Sequence, residues 1–127
     1  MSRKHSLPPH NMLEDADMSA QIISTPTNVS QIDQALILAT WTGSAVGTFE
    51  VQGAQVKATD IRANNPLPAT IVWTALDFGS PLEAVGVDDQ HQIVLNQTPF
   101  THLRLVFNPS AGAGSLSATI SGKAVGA

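Results

Sequence analysis

The chain predicts an all-β protein: an antiparallel β-sandwich, jelly-roll-like, of about seven or eight short strands. Three observations lead there. Apolar residues recur with a period of two, as in Phe49 and Val51 against Thr48, Glu50 and Gln52, and in Leu116, Ala118 and Ile120 against Ser115, Ser117, Thr119 and Ser121. Turns carrying Gly, Pro or small polar residues separate these runs at regular spacing, and no stretch shows a sustained helical period. Cysteine is absent, so packing and hydrogen bonding alone must hold the layers, and a chain of 127 residues can bury roughly 65% of its unfolded surface. A closed barrel is the alternative closure of the same strands. No repeat of the length that builds a solenoid or propeller is visible.

Residues 1 to 18 read as an extended N-terminal arm ahead of a β-sandwich domain spanning 19–127. The arm holds Arg3, Lys4, Pro8, Pro9, His5, His10 and the acids Glu14, Asp15 and Asp17, with no sustained period. It lacks the apolar run of a secretory signal. The arm is either a frayed terminus without a role or a tail ordered on a neighbouring subunit, with Leu7, Pro8, Pro9, Met12 and Leu13 as its candidate interface residues.

Ala20 to Ser24 and Val29 to Ile32 are short strands separated by the breaker Pro26. Ala35 to Trp41 is apolar on both faces, which suits a central strand. Its longest mainly apolar stretch, Ala35 to Ala39, is far short of the roughly 18 to 20 residues of a membrane helix, so no membrane partner is expected. Gly47 to Gln52 alternates cleanly. The pattern then dissolves between Gly53 and Ala69, a connection long enough to be functional. Ile61, Arg62, Asn64, Asn65, Pro66 and Leu67 are its candidate interface residues.

Ile71, Trp73 and Ala75 alternate with Val72, Thr74 and Leu76 in a further strand. Leu82 to Val85 is the one place for a helical turn, and Gln92 to Asn96 is another strand. Pro99 to Pro109 and Ser115 to Gly122, joined by the small glycine-bearing connector Ser110 to Gly114, read as a closing β-hairpin with Leu103, Leu105 and Phe107 on one face.

Only 13% of residues are charged, about half the usual fraction for a soluble domain. Such a weakly charged, small-polar surface is common where subunits pack together, and it also suits a solvent-facing β-domain. The formal charge is −4, and the six basic residues at 3, 4, 57, 62, 104 and 123 form no stripe, so nucleic acid is not an expected partner.

Catalytic and metal chemistry are not assembled by any motif. The histidines at 5, 10, 91 and 102 complete no ligand spacing, and His102, opposite Leu103 and Leu105, reads as a surface or interface residue. Asp88-Asp89 lacks the glycine and terminal glutamate of a calcium loop and reads as a solvated turn. No nucleophile elbow or phosphate loop is present, so no cofactor and no enzymatic activity are expected. Trp41 and Trp73 are either core residues or sugar-stacking platforms; their small and aliphatic neighbours favour the core.

One resemblance extends this reading. The succession Thr40-Trp41-Thr42-Gly43, Val46 to Gln52, Trp73 to Leu76, Ile93 to Gln97, Phe100 to Phe107 and Gly114 to Lys123 resembles small virion proteins of tailed bacteriophages, over about residues 18 to 125. It is more loosely similar to discoidin-like sandwiches. Gly53-Ala54-Gln55 departs from the phage pattern, which has a short Ser-Asn-Asp turn at that point. The resemblance implies a non-enzymatic structural component of a bacteriophage particle, folded in the host cytoplasm and incorporated into the virion. In that role it is a capsid decoration or vertex protein, a homo-oligomer bound to the major capsid protein or another virion protein. A tail or head-to-tail connector subunit and a carbohydrate-binding module are the alternatives.

Overall fold

A computed structural model describes residues 6–30, 32–56, 71–78, 82–84, 87–96 and 100–123. The alternating segments become β1 (Ser6–Asp17), β2 (Ile22–Ile23), β3 (Thr27–Asn28), β4 (Gln34–Gly43), β5 (Val46–Ala54), β6 (Thr74–Ala75), β7 (Leu82–Ala84), β8 (Gln90–Leu95), β9 (His102–Ala111) and β10 (Gly114–Lys123). They build two antiparallel sheets. The first, four-stranded, runs β1-β10-β4-β8; the second, six-stranded, runs β2-β9-β5-β6, with β3 also on β9 and β7 also on β5.

Since β2 and β3 follow one another along β9, and β6 and β7 along β5, each pair acts as one interrupted strand. The result is two layers four strands wide, in the strand order of a jelly roll. Pro26 explains the first interruption, because it has no N–H for the ladder. Ser24 bridges the gap: its N–H donates to the Leu105 carbonyl at 2.9 Å, and its hydroxyl accepts the Leu105 N–H at 2.8 Å.

The inward residues of the two layers meet in one core. Ala35, Ile37, Ala39 and Trp41 of β4, Leu116, Ala118 and Ile120 of β10, and Ile93 and Leu95 of β8 face Phe49 and Val51 of β5 and Leu103, Leu105 and Phe107 of β9. The Phe49 ring lies 5.5 Å from Trp41 and 5.1 Å from Phe107, so one aromatic cluster spans both sheets. Every buried side-chain nitrogen and oxygen among the described residues has a hydrogen-bond partner.

Residues 6–17, within the segment expected to be an arm, are a sheet strand. β1 pairs with β10 along its whole length, Ser6 opposite Lys123 and Asp17 opposite Ser115. Three register shifts each insert one extra residue into β1, and Asp15 at the last of them has a positive φ of 49°. These bulges break the period of two, which is why no strand pattern shows in the sequence. Pro8 and Pro9 fit because β1 is an edge strand. Met12 and Met18 are buried, and Leu7 and Leu13 pack against the core of their own chain.

The expected closing hairpin is also replaced. β9 pairs with β2, β3 and β5, whereas β10 pairs with β1 and β4. Gly112-Ala113 therefore carries the chain from one layer to the other, with Gly112 at a φ of 75° and its α-carbon against the Ser44 carbonyl. Local alternation cannot separate the two arrangements. A strand hydrogen-bonded to its successor and a strand facing it across the core both bring their apolar residues together. Leu82 to Ala84 forms β7 rather than a helical turn, and the strand around Trp73 shrinks to Thr74–Ala75, both exposed, with Leu76 packing on the core.

At the end of the sandwich where β3, β5 and β8 terminate, Thr101 ties three connections together. Its carbonyl accepts the Val29 N–H, its N–H and its hydroxyl donate to the Ala54 carbonyl, and its Oγ1 accepts the Val56 N–H. With the hydroxyl proton committed to Ala54, the 3.0 Å contact to His102 Nδ1 makes that nitrogen the donor. His102 is buried, not at the surface as its alternation suggested. Burial lowers its pKa below the usual 6.5.

Deleting residues 1–18 removes an edge strand and two buried methionines; the truncated protein is expected to lose its cooperative thermal unfolding transition, or to melt well below the full chain, by circular dichroism. For His102, the unfolded chain takes up its proton before the folded one as pH falls through 6.5. Its contribution to stability is complete above that value and is lost as pH drops toward the folded pKa. Urea unfolding at a series of pH values is expected to show stability falling on acidification in this window, with a shallower slope in His102→Gln.

Candidate binding face

The described residues offer two open surfaces, the outer faces of the two sheets, and the alternation that fills the core decides what each presents. On β5 the outward positions are Thr48, Glu50 and Gln52, and on β9 Arg104, Val106 and Asn108, of which Val106 is covered and only 2% exposed. The register sets Gln52 opposite Arg104, Glu50 opposite Val106 and Thr48 opposite Asn108. Trp73, just before β6, stands at the edge of the same face.

These side chains form one continuous network. The Arg104 Nε donates to Gln52 Oε1 at 2.7 Å, and its guanidinium lies 4.2 Å from the centre of the Trp73 ring. Gln52 Nε2 donates to Glu50 Oε1 and Asn108 Nδ2 donates to Glu50 Oε2, each at 3.4 Å. Gln21, just before β2, donates from Nε2 to Asn108 Oδ1 at 2.8 Å. Partial burial lowers the Arg104 pKa and the Glu50 charge opposes that shift; the group stays cationic. Beyond Asn108 the face opens into a recess of about 380 Å³ lined by Val46, Thr48, Glu83, Asn108, Pro109 and Ser110, among others. Planar amides, a carboxylate, a guanidinium and an indole are thus fixed on rigid strands.

The outer face of the four-stranded sheet has a different chemistry. β10 presents Ser115, Ser117, Thr119 and Ser121, β4 presents Leu36, Leu38, Thr40 and Thr42, and β8 presents Gln90, Gln92 and Val94. Among the described residues of these three strands, the charged outward side chain is Lys123, at the last position of β10. Val94 is 62% exposed and Leu36 36%, and they line a recess of about 360 Å³ with Gln34, Ala35, Ser121, Gly122 and Lys123. β4 is central, as its two apolar faces implied, but its outer face is a surface among the described residues.

Other sequence candidates fall as follows. Pro8 and Pro9 are exposed on β1, while Met12 is turned into the core. Ile61, Arg62, Asn64, Asn65, Pro66 and Leu67 lie outside the described residues. Trp41 is buried against Phe49 and is no stacking platform; Trp73 is half-buried and sits outside the core, contrary to the expectation for it. Asp88 and Asp89 occupy an exposed turn whose carboxylates are already engaged. Asp88 Oδ1 accepts the Gly43 N–H at 2.7 Å, and Asp89 Oδ1 accepts the Gln90 N–H at 2.8 Å. No cluster of three or more His, Asp or Glu side chains suited to a metal ion forms among the described residues. No family model, curated protein or solved structure matches the chain.

The Arg104 network makes a spectroscopic prediction. Arg104→Ala uncovers the Trp73 ring and leaves Gln52 Oε1 without its donor. Emission is expected to shift to longer wavelength, with a loss of about 1 kcal/mol in urea unfolding.

Proposed function

We propose that this chain is a non-enzymatic structural component of a bacteriophage particle, a capsid decoration or vertex subunit that docks on the capsid as an oligomer through the outer face of its four-stranded sheet. The observation that carries the reading is the confinement of charge to the margins of that face: hydroxyls and amides lie around Leu36, Leu38 and Val94, while Lys123 stands at the end of β10 and the carboxylates of Glu14, Asp15 and Asp17 on the edge strand β1. Depletion of charge at the centre with a polar rim is how interfaces differ from ordinary surface. Two neighbouring strands of ten residues and one of six, with β1 beside them, present on the order of 600 Å². That approaches the roughly 800 Å² per partner of a standard interface.

The likeness to small phage virion proteins supports the same role, and the jelly roll is an architecture that capsid proteins use. Fold alone does not assign function, so the face carries the argument. The test is to purify particles from a lysate of the phage-producing host and count copies of this chain per major capsid subunit by quantitative mass spectrometry. A ratio approaching that of the major capsid protein is expected for a decoration protein, and a few copies per particle for a vertex or connector position. Leu36→Asp with Val94→Asp is expected to cut particle binding at least about tenfold. Absence from particles, or binding untouched by the double substitution, overturns the reading.

A further inference from the structure

We propose that the outer face of the six-stranded sheet is a binding site for a neutral saccharide, formed by Trp73, Arg104, Gln52, Glu50 and Asn108. The inference is independent of the docking role, because it concerns the opposite layer.

Charge selects the ligand class. Among the described residues the face holds one cation, Arg104, and beside it the carboxylate of Glu50, with Glu83 lining the adjoining recess. A polyanion meets two carboxylates for each guanidinium, and a cationic ligand meets Arg104. A neutral polar ligand meets neither penalty.

Hydrogen-bonding capacity narrows the class to polyols. Among the described residues, Arg104 uses only Nε as a hydrogen-bond donor and keeps its terminal N–H groups. Glu50 accepts two long bonds of 3.4 Å on a carboxylate with room for about four. Gln52 and Asn108 each spend one of two amide protons on Glu50. Donors and acceptors therefore remain side by side, which matches vicinal hydroxyls, since each hydroxyl both donates and accepts. The indole adds the apolar surface against which the C–H face of a sugar ring packs.

Rigidity makes the arrangement a site rather than a set of surface side chains. Gln52 and Glu50 stand on β5, Arg104 and Asn108 on β9, and these are the two inner strands of the sheet. Each polar group is held by the next, and the guanidinium fixes one side of the Trp73 ring, so little side-chain entropy is left to lose on binding. From Arg104 to Asn108 the ladder runs about 13 Å along the strand, room for a short oligosaccharide.

The experiment titrates the full-length protein with neutral oligosaccharides of glucose, mannose, galactose and N-acetylglucosamine, and with chondroitin sulfate as an anionic comparison, following tryptophan fluorescence and heat. Saturable binding of at least one neutral oligosaccharide is expected, weakened at least about tenfold in Trp73→Phe and in Gln52→Ala. Near-ultraviolet circular dichroism checks that each variant keeps its core packing, and Gln52→Ala alone carries the test where Trp73→Phe does not. The Leu36→Asp, Val94→Asp protein is expected to retain the affinity, which separates this site from the docking face. Binding of no neutral oligosaccharide, binding of the sulfated polymer alone, or affinity unchanged in folded Gln52→Ala overturns the proposal.

Discussion

Phe49 is the contact on which the two layers depend. It projects from β5 between Trp41 of the opposite sheet and Phe107 of its own, with the His91 ring edge-on at 6.2 Å. Small residues let that bulk fit: Ala39 and Ala118 line the four-stranded layer, and Gly47 has no room for a β-carbon beside the Phe107 ring and the Asn108 carbonyl. Fixing Phe49 inward fixes the parity of the whole of β5. Glu50 and Gln52 must then point out, and the register with β9 sets Arg104 opposite Gln52. The candidate binding face is thus a consequence of core packing one residue away.

Alternation was legible where strands are regular. The inward faces of β4, β5, β9 and β10 follow from a period of two, and so does the sandwich. β1 was not legible, because three extra residues in one strand destroy the period that identifies it. Partner choice was not legible either. Gly112-Ala113 has the length and composition of a hairpin turn, yet β9 and β10 each have both edges occupied within their own sheets. Which edge a strand uses is settled by the whole topology, not by its connector.

For the candidate site, the sequence supplied the residue types and withheld their meeting. Gln52 and Arg104 are 52 residues apart, Glu50 and Asn108 58, and Gln21 and Asn108 87. No local spacing encodes such contacts. Trp73 misled for a related reason: Ile71 and Ala75 share its parity, but only Thr74 and Ala75 pair with β5, and Leu76 takes the inward position. Thr101 carried no signal at all, although its bonds tie its own connection to two others, at Val29 and at Ala54 and Val56.

The two outer faces are separated by the thickness of the core, about 10 Å between sheet planes plus the side chains on each side. They share no side chain, since each strand contributes alternate residues to the core and to one face only. Substitutions on the two faces are therefore expected to add in their effects on stability, as independent sites at this separation do. The geometry also gives the proposed docking a direction. A subunit seated through Leu36, Leu38 and Val94 turns Trp73 and Arg104 away from the surface it covers, because the sheets are back to back. The proposed docking and the proposed ligand binding therefore make no competing demand on any residue, because the hydroxyl-rich face and the planar polar face draw on different side chains.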